Sequence, residues 1–402
     1  MKLFSALNNK DFKFLLLSQS ISDFGDWFVI PIYAALVGYT WGLGNFELAL
    51  VAICMALPSV LVGLISGSIV ERMPSRETMI VCDVIRSFCA FLLIFVVNYY
   101  FLLCLIIIES IARTFFVPAK QIFIKENILE DNLLSANSLS SVINQMAKII
   151  SPALGGIMIC YWQYETIFFI NSITFVISAL LIMCIKKRSF YLDTSNIKIL
   201  QSAKEGIHFV KHNFFIKHII LIIGIRFGII FLYDAFFVSL TKEKNMTSVH
   251  YGLLLSMIAL GSLIGAPLVN HFNLTKKHIF SFMSFGQLIG GLIIITMLAL
   301  PSTNQWNVPF LLMWVFFGIT NAFINIPYTT ALQKYVHHGM VGRVVSISES
   351  IQNFFMIVSP MVGYGIMYFC TAKILFLASG CFLFLSGFYF ILFKSFHKIE
   401  KK

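Results

Sequence analysis

Long apolar runs separated by short polar breaks extend along the whole chain, and their length sets the first inference. A helix needs about 20 mostly apolar residues to cross the hydrocarbon core of a bilayer. From Ile279 to Gln333 no Asp, Glu, Lys or Arg occurs, which is room for two crossings and the turn between them. The runs are apolar on every face, whereas the strands of a membrane β-barrel alternate apolar and polar positions. The pattern predicts an all-α membrane protein of about twelve transmembrane helices. The spans fall near 12–39, 46–69, 77–97, 99–118, 135–160 and 163–185, then near 215–240, 248–271, 278–300, 307–329, 344–368 and 373–393. Between the third and fourth spans only Asn98, Tyr99 and Tyr100 mark the turn. Residues 186–214 form the long polar interruption, with apolar positions at helical spacing over Ile199–Val210. The expected organisation is an N-terminal six-helix bundle (1–185), a cytoplasmic linker (186–214) and a C-terminal six-helix bundle (215–402).

Charge turns this pattern into a topology. Only 12% of residues are charged and 58% are hydrophobic, against about 25% charged in a soluble domain. The net charge of +11 invites a nucleic-acid reading, but the placement of the basic residues opposes it. With the N-terminus inside, one side receives Lys2, Lys10 and Lys13, Arg72 and Arg76, Lys120 and Lys125, the cluster from Lys186 to Lys217, Lys276 and Lys277, Lys334 and Arg343, and the C-terminal lysines. The other side receives Lys242, Lys244 and Lys373. That asymmetry is the positive-inside rule, and it requires an even number of spans with both termini cytoplasmic. The first apolar run is too long for a signal peptide and lacks a small-residue cleavage site, so it is read as the first span. The eight cysteines show no CxxC or Cys/His spacing, and no metal is expected.

A faint internal repeat supports two bundles. Ser151-Pro152-Ala153-Leu154-Gly155 recurs as Ser359-Pro360-Met361-Val362-Gly363, 208 residues later, on the fifth span of each half. Parallel repeats about an axis along the membrane normal are one architecture of secondary transporters. Ser151, Pro152, Gly155 and Gly156 remove a backbone donor and side-chain bulk at mid-helix, which favours a kink and close packing.

Charges in hydrocarbon cost several kcal/mol unless paired or hydrated, so intramembrane ionisable groups are the functional candidates. Asp23 and Asp26 share a face of the first span. Each is a site either for a coupling proton or cationic substrate, or for a hydrogen bond to a neighbouring helix. Glu109 and Arg113 on the fourth span stand i,i+4 in the favourable acid-first order, which predicts a pair within the helix. Asp83 and Arg86 on the third span form an i,i+3 pair with a structural reading. Arg226 sits near the cytoplasmic third of the seventh span, where snorkelling is the alternative, and Asp234 lies deeper. Gln145, Glu349 and Asn353 on the fifth helices of the halves are expected to line a substrate cavity. Asp234 joins them, as do Asn321 and Asn325 on the tenth span, where helix–helix hydrogen bonding is the competing explanation. No GxxxxGK[ST], GxSxG or HExxH occurs, so neither an ATP-driven machine nor an enzyme is expected.

These residues resemble the major facilitator superfamily. The loop Gly67-Ser68-Ile69-Val70-Glu71-Arg72-Met73-Pro74-Ser75-Arg76 is similar to that family's cytoplasmic signature, matched at Gly67, Arg72 and Arg76, with Glu71 for Asp and Pro74-Ser75 departing from it. The resemblance implies a gating loop that latches against the eleventh helix at Gly342-Arg343. Arg113 is similar to the fourth-helix Arg that the family uses in proton coupling, and Ser151 to Gly156 to the fifth-helix core of its exporters. Ser22-x-x-Gly25-Asp26, Ala112 to Ala119, Ala136-Asn137-Ser138 and Gly342-Arg343-Val344 resemble the macrolide-efflux branch, which is itself similar to siderophore and peptide-antibiotic exporters.

The resemblance implies a monomeric, multi-pass cell-membrane exporter that needs no cofactor beyond a proton gradient. Its partners are protons, the lipid bilayer and a small amphipathic substrate, with Asp26 or Glu109 carrying the proton. Two alternatives stay open. Uptake or facilitated transport of a small metabolite is separated by accumulation against depletion in cells. A lipid flippase, scramblase or sensor without ion coupling is separated by the absence of proton movement.

Overall fold

The computed structural model describes residues 5–70, 72–128, 130–186, 199–270, 276–299, 308–336 and 341–396. Regular structure among the described residues is helical throughout. The first half contains α1 (Lys10–Ala35), α2 (Asn45–Leu61), α3 (Gly63–Val70), α4 (Ser75–Leu92), α5 (Tyr99–Asn127), α6 (Glu130–Tyr161) and α7 (Tyr164–Met183). After α8 (Ile199–His212) come α9 (Phe214–Asp234), α10 (Phe237–Glu243), α11 (Ser248–Asn270), α12 (Lys276–Ala299), α13 (Val308–Tyr335), α14 (Val341–Phe369) and α15 (Ala372–Phe396). Each of the twelve expected spans coincides with one of these helices or with a broken pair. Among the described residues nine helices are long and apolar enough to cross a membrane, and Asn45–Leu61 and Ile150–Tyr161 are shorter apolar helices.

The departures from regular helix have local causes. Beyond Pro31, α1 continues as a π turn over Leu36–Thr40. The second span breaks at Val62, beside Gly63 and the small residues that follow, into α2 and α3. The seventh breaks at Ala235 and Phe236 into α9 and α10. The turn expected at Asn98 is there, and its side chain accepts a hydrogen bond from the Tyr100 N–H at 2.8 Å, capping α5. The amphipathic stretch expected from Ile199 forms α8.

The described residues cluster into two compact units, one comprising Met1–Trp41 and Val51–Ser195, the other Gly42–Leu50 and Asn196–Lys402. In the first, α1 packs on α6 and α7, α4 on α5 and α7, and α3 on α5. In the second, α9 packs on α14 and α15, α12 on α13 and α15, and α11 on α13. The same partnerships recur once α9 is matched to α1. Phe12, Leu15, Met79, Phe116 and Ile182 are buried in the core of the first unit, and Ile216, Ile219, Phe280, Ile324 and Phe390 in that of the second.

Two details make the repeat physical. Asn9 caps α1 by accepting from the N–H groups of Asp11 (2.9 Å) and Phe12 (3.2 Å), and Asn213 caps α9 by accepting from Ile216 N–H at 3.1 Å. An N-cap oxygen satisfies backbone donors that the first helical turn leaves unpaired. Further along, Gly155 on α6 lies against α1, where a Cβ would run into the Phe28 carbonyl. Gly363 on α14 lies against α9, where a Cβ would run into the Leu232 carbonyl. The close packing expected around Pro152 is therefore a backbone-to-backbone approach. α6 continues as one helix through Pro152.

Candidate functional site: a buried charge cluster in the first unit

The first unit gathers most of its intramembrane charges at one place, where α1, α4, α5 and α7 converge. Arg86 on α4 is buried to 1% exposure, and its guanidinium pairs with the Asp26 carboxylate on α1. It also pairs with Asp83, one turn earlier on its own helix, at 3.2 Å. Asp83 in turn accepts from the Ser178 hydroxyl of α7 at 2.5 Å. The Arg86 guanidinium lies over the Phe175 ring at 4.1 Å, so an aromatic face covers the side that the carboxylates leave open. Its Nε finds no hydrogen-bond partner among the described residues.

The other oxygen of Asp26 faces Arg113 on α5, whose Nε stands 3.8 Å away. Arg113 is the accessible member of the group, 37% exposed at its side chain, and it lies over the Trp27 ring at 5.6 Å. Glu109, one turn before Arg113, accepts from the Tyr33 hydroxyl of α1 at 2.9 Å. The i,i+4 pair expected between Glu109 and Arg113 does not form within ion-pair distance. Arg113 turns across to Asp26 instead, because a carboxylate on a packed neighbouring helix competes with the local one. Asp26 and Tyr33 are two turns apart on α1, so both look toward α5 from one face. That spacing is the signal by which Tyr33 was recoverable from sequence.

Asp23 belongs to a separate arrangement. The amides of Gln19 and of Asn144 on α6 both donate to its Oδ2 at 3.1 Å, and Gln19 also donates to the Ser140 carbonyl at 3.1 Å. Asp23 thus ties α1 to α6 through neutral donors, while Asp26 meets cations. An apolar groove of about 370 Å³ lies between α4 and α5, lined by Val81, Ile85, Ile108 and Phe115 among others. None of the cluster's charged residues lines it.

The remaining candidates are dispersed. Gly67 sits on α3, Arg72 is exposed, and Glu71 lies outside the described residues. Arg76, at the start of α4, donates from Nε to the Ile185 carbonyl at 2.9 Å and from Nη2 to the Met183 carbonyl at 2.7 Å. It therefore closes the carbonyl end of α7, where a cation meets the negative end of the helix dipole. Arg343 and Gln145 stand on α14 and α6, with side chains outside the described ones. In the second unit the Arg226 guanidinium donates to Asn321 on α13. Asn325 and Asn353 are half-buried, and Asp234 and Glu349 are exposed. Arg226 is buried to 4% rather than reaching outward, which disfavours the snorkelling alternative.

With this geometry in hand, comparisons with known proteins align most of the chain. The family model described as Major Facilitator Superfamily matches residues 15–360. The putative bacilysin exporter BacE of Bacillus subtilis (strain 168) is 24% identical over 345 residues, covering 84% of each chain. Macrolide efflux protein A of Enterococcus faecalis is 23% identical over 308 residues, 75% of this chain and 94% of that one. Among solved structures, a bacterial homologue of the iron transporter ferroportin in its inward-facing state superposes with a TM-score of 0.68 at 17% identity, covering 96% of this chain and 99% of that one.

Proposed function

This chain belongs to the major facilitator superfamily, an all-α, multi-pass membrane transporter rather than an enzyme, and from that premise we propose that it is a proton-coupled exporter of an amphipathic organic molecule. The substrate class is that of a macrolide-like drug, a peptide antibiotic or a siderophore. The chain works by alternating access in the cell membrane, with both termini cytoplasmic. Names among its relatives, an exporter and an efflux protein, support the outward direction.

One observation carries the proton coupling. The cluster holds three carboxyls, Asp26, Asp83 and Glu109, against two guanidinium groups, Arg86 and Arg113. Asp26 and Asp83 each have a cation within ion-pair distance, and Glu109 has a phenol. A single proton on Glu109 leaves the group neutral, and its loss leaves one uncompensated negative charge in a medium that penalises it. Asp26 stands sixteen residues into α1, about 24 Å along the helix at 1.5 Å per residue, which is near the bilayer midplane. Proton release toward one side and uptake from the other then biases which side the substrate site faces.

The test is transport in inverted membrane vesicles energised with a pH gradient, with erythromycin as the probe. Asp26→Asn and Arg113→Ala are expected to insert normally and to lose both gradient-driven accumulation of erythromycin and substrate-induced proton efflux. Full transport by both variants, with unchanged pH dependence, refutes the coupling assignment.

A further inference from the structure

Among the described residues, the second unit contains a buried cation with no carboxylate within ion-pair distance. Arg226 lies twelve residues into α9, about 18 Å from the helix start at 1.5 Å per residue, and is 4% exposed. Its hydrogen-bond partner is the neutral side chain of Asn321. The two arginines of the first unit's cluster, by contrast, both have carboxylates. Asp234 and Glu349, the acidic groups on α9 and on the packed α14, are both exposed. A buried charge without a counter-charge costs several kcal/mol, and an anion supplied from outside the chain would offset that cost.

The surrounding geometry sets what that partner is. Gly224 and Gly228 are one turn apart on α9 and face α14, where Cβ atoms would press on Ile351 and Phe355. Arg226, midway between them, is turned about 200° from each at 100° per residue, toward α13. A guanidinium has donors and no acceptor, so Asn321 presents its carbonyl oxygen to Arg226. Its NH₂ group is thereby left as a donor beside the cation. Asn325 follows one turn later on the same face of α13. The site offers positive charge and N–H donors.

We infer that Arg226 and Asn321 form a subsite for a carboxylate of the transported molecule. A carboxylate accepts two hydrogen bonds from a guanidinium in one plane, which gives orientation as well as charge compensation. The inference deepens the exporter reading and rests on it. Among the classes named there it selects molecules that carry an acid group, a peptide or a carboxylate siderophore, as the preferred substrate, with a macrolide such as erythromycin carried without this contact.

The experiment uses the purified full chain in lipid nanodiscs at fixed ionic strength, with benzoate and the uncharged isostere benzamide as probes and thermal stability as the readout. Benzoate is expected to raise the melting temperature of the wild type in a saturable way, and benzamide is not. R226K keeps a response, and R226Q weakens the apparent affinity for benzoate at least tenfold. Asn321→Asp places a carboxylate of the chain itself against Arg226. It is expected to raise the melting temperature without ligand and to erase the benzoate response. The inference is overturned if the wild type ignores benzoate, if benzamide acts equally, or if R226Q or N321D responds like the wild type. Because binding is read without a gradient, a missing benzoate response with proton-coupled export intact removes this subsite alone. The converse result removes the antiport reading alone.

Discussion

Replacing Arg86 by Met tests whether the charge cluster is a bonded unit or a chance proximity. Met keeps the length and apolar stem of the side chain while removing the guanidinium, so packing changes little. What is lost is the contact with Asp26, the 3.2 Å pair with Asp83 and the seat over Phe175 at 4.1 Å. Removing one member of a buried ion pair costs about 3–5 kcal/mol, because the abandoned carboxylate stays in low dielectric. A desolvated cation–π contact contributes up to about 2 kcal/mol more. For a unit of this size, that predicts a fall in melting temperature on the order of 10 °C. The measurement is thermal unfolding of purified protein, with Val84→Met as control, since Val84 is an exposed position on the same helix. A double-mutant cycle with Asp26→Asn isolates the pair. Coupling above about 1 kcal/mol is expected, because the neutral amide no longer needs the cation. Additivity to within about 0.5 kcal/mol, or an R86M variant as stable as the control, would refute the reading.

Two further predictions follow from the repeat. Gly155→Leu and Gly363→Leu are each expected to abolish folded yield, because the new side chain meets a backbone carbonyl of α1 or α9. Gly365→Leu, where a Cβ meets nothing within 4 Å, is expected to behave as wild type in size-exclusion profile and melting temperature. Asn9→Ala and Asn213→Ala each remove one helix cap and are expected to cost about 1 kcal/mol, additively, since the caps belong to different units. A loss well above that in thermal melts indicates that the bond the Asn9 amide N–H donates to the Asn127 carbonyl at 2.9 Å also holds the end of α5.

Hydropathy alone located the helices, because lipid leaves a backbone no alternative to satisfying itself internally. Even the thin turn at Asn98 was legible from the polar break at Asn98, Tyr99 and Tyr100, while its role as the cap of α5 was seen only in the structure. Hydropathy also flagged Asp26, Glu109, Arg113 and the Asp83–Arg86 pair, as charges within spans are rare. Their connections were not legible. Local spacing predicts Glu109 with Arg113, but helix packing delivers Asp26 to Arg113 and Tyr33 to Glu109, and no sequence rule reports which faces of α1 and α5 meet. Arg76 shows the same limit: its motif position marked it as important, while its contact with the end of α7 follows from tertiary folding. The repeat was half-visible. The 208-residue offset of the Ser-Pro copies was readable, while the Asn9 and Asn213 caps, 204 residues apart, become a match once both are seen starting the first helix of a half.

The glycine contacts also bear on how such a molecule can move. At Gly155, where α6 touches α1, and at Gly363, where α14 touches α9, main chain approaches main chain with no side chain of the glycine to act as a lubricant. Sliding one helix past the other by even a fraction of a turn drives a carbonyl into an α-carbon, so each couple travels as a single stiff blade. Bending during a transport cycle has to be absorbed at the interruptions instead, at Val62 and at Ala235–Phe236, where the helical ladder is already open.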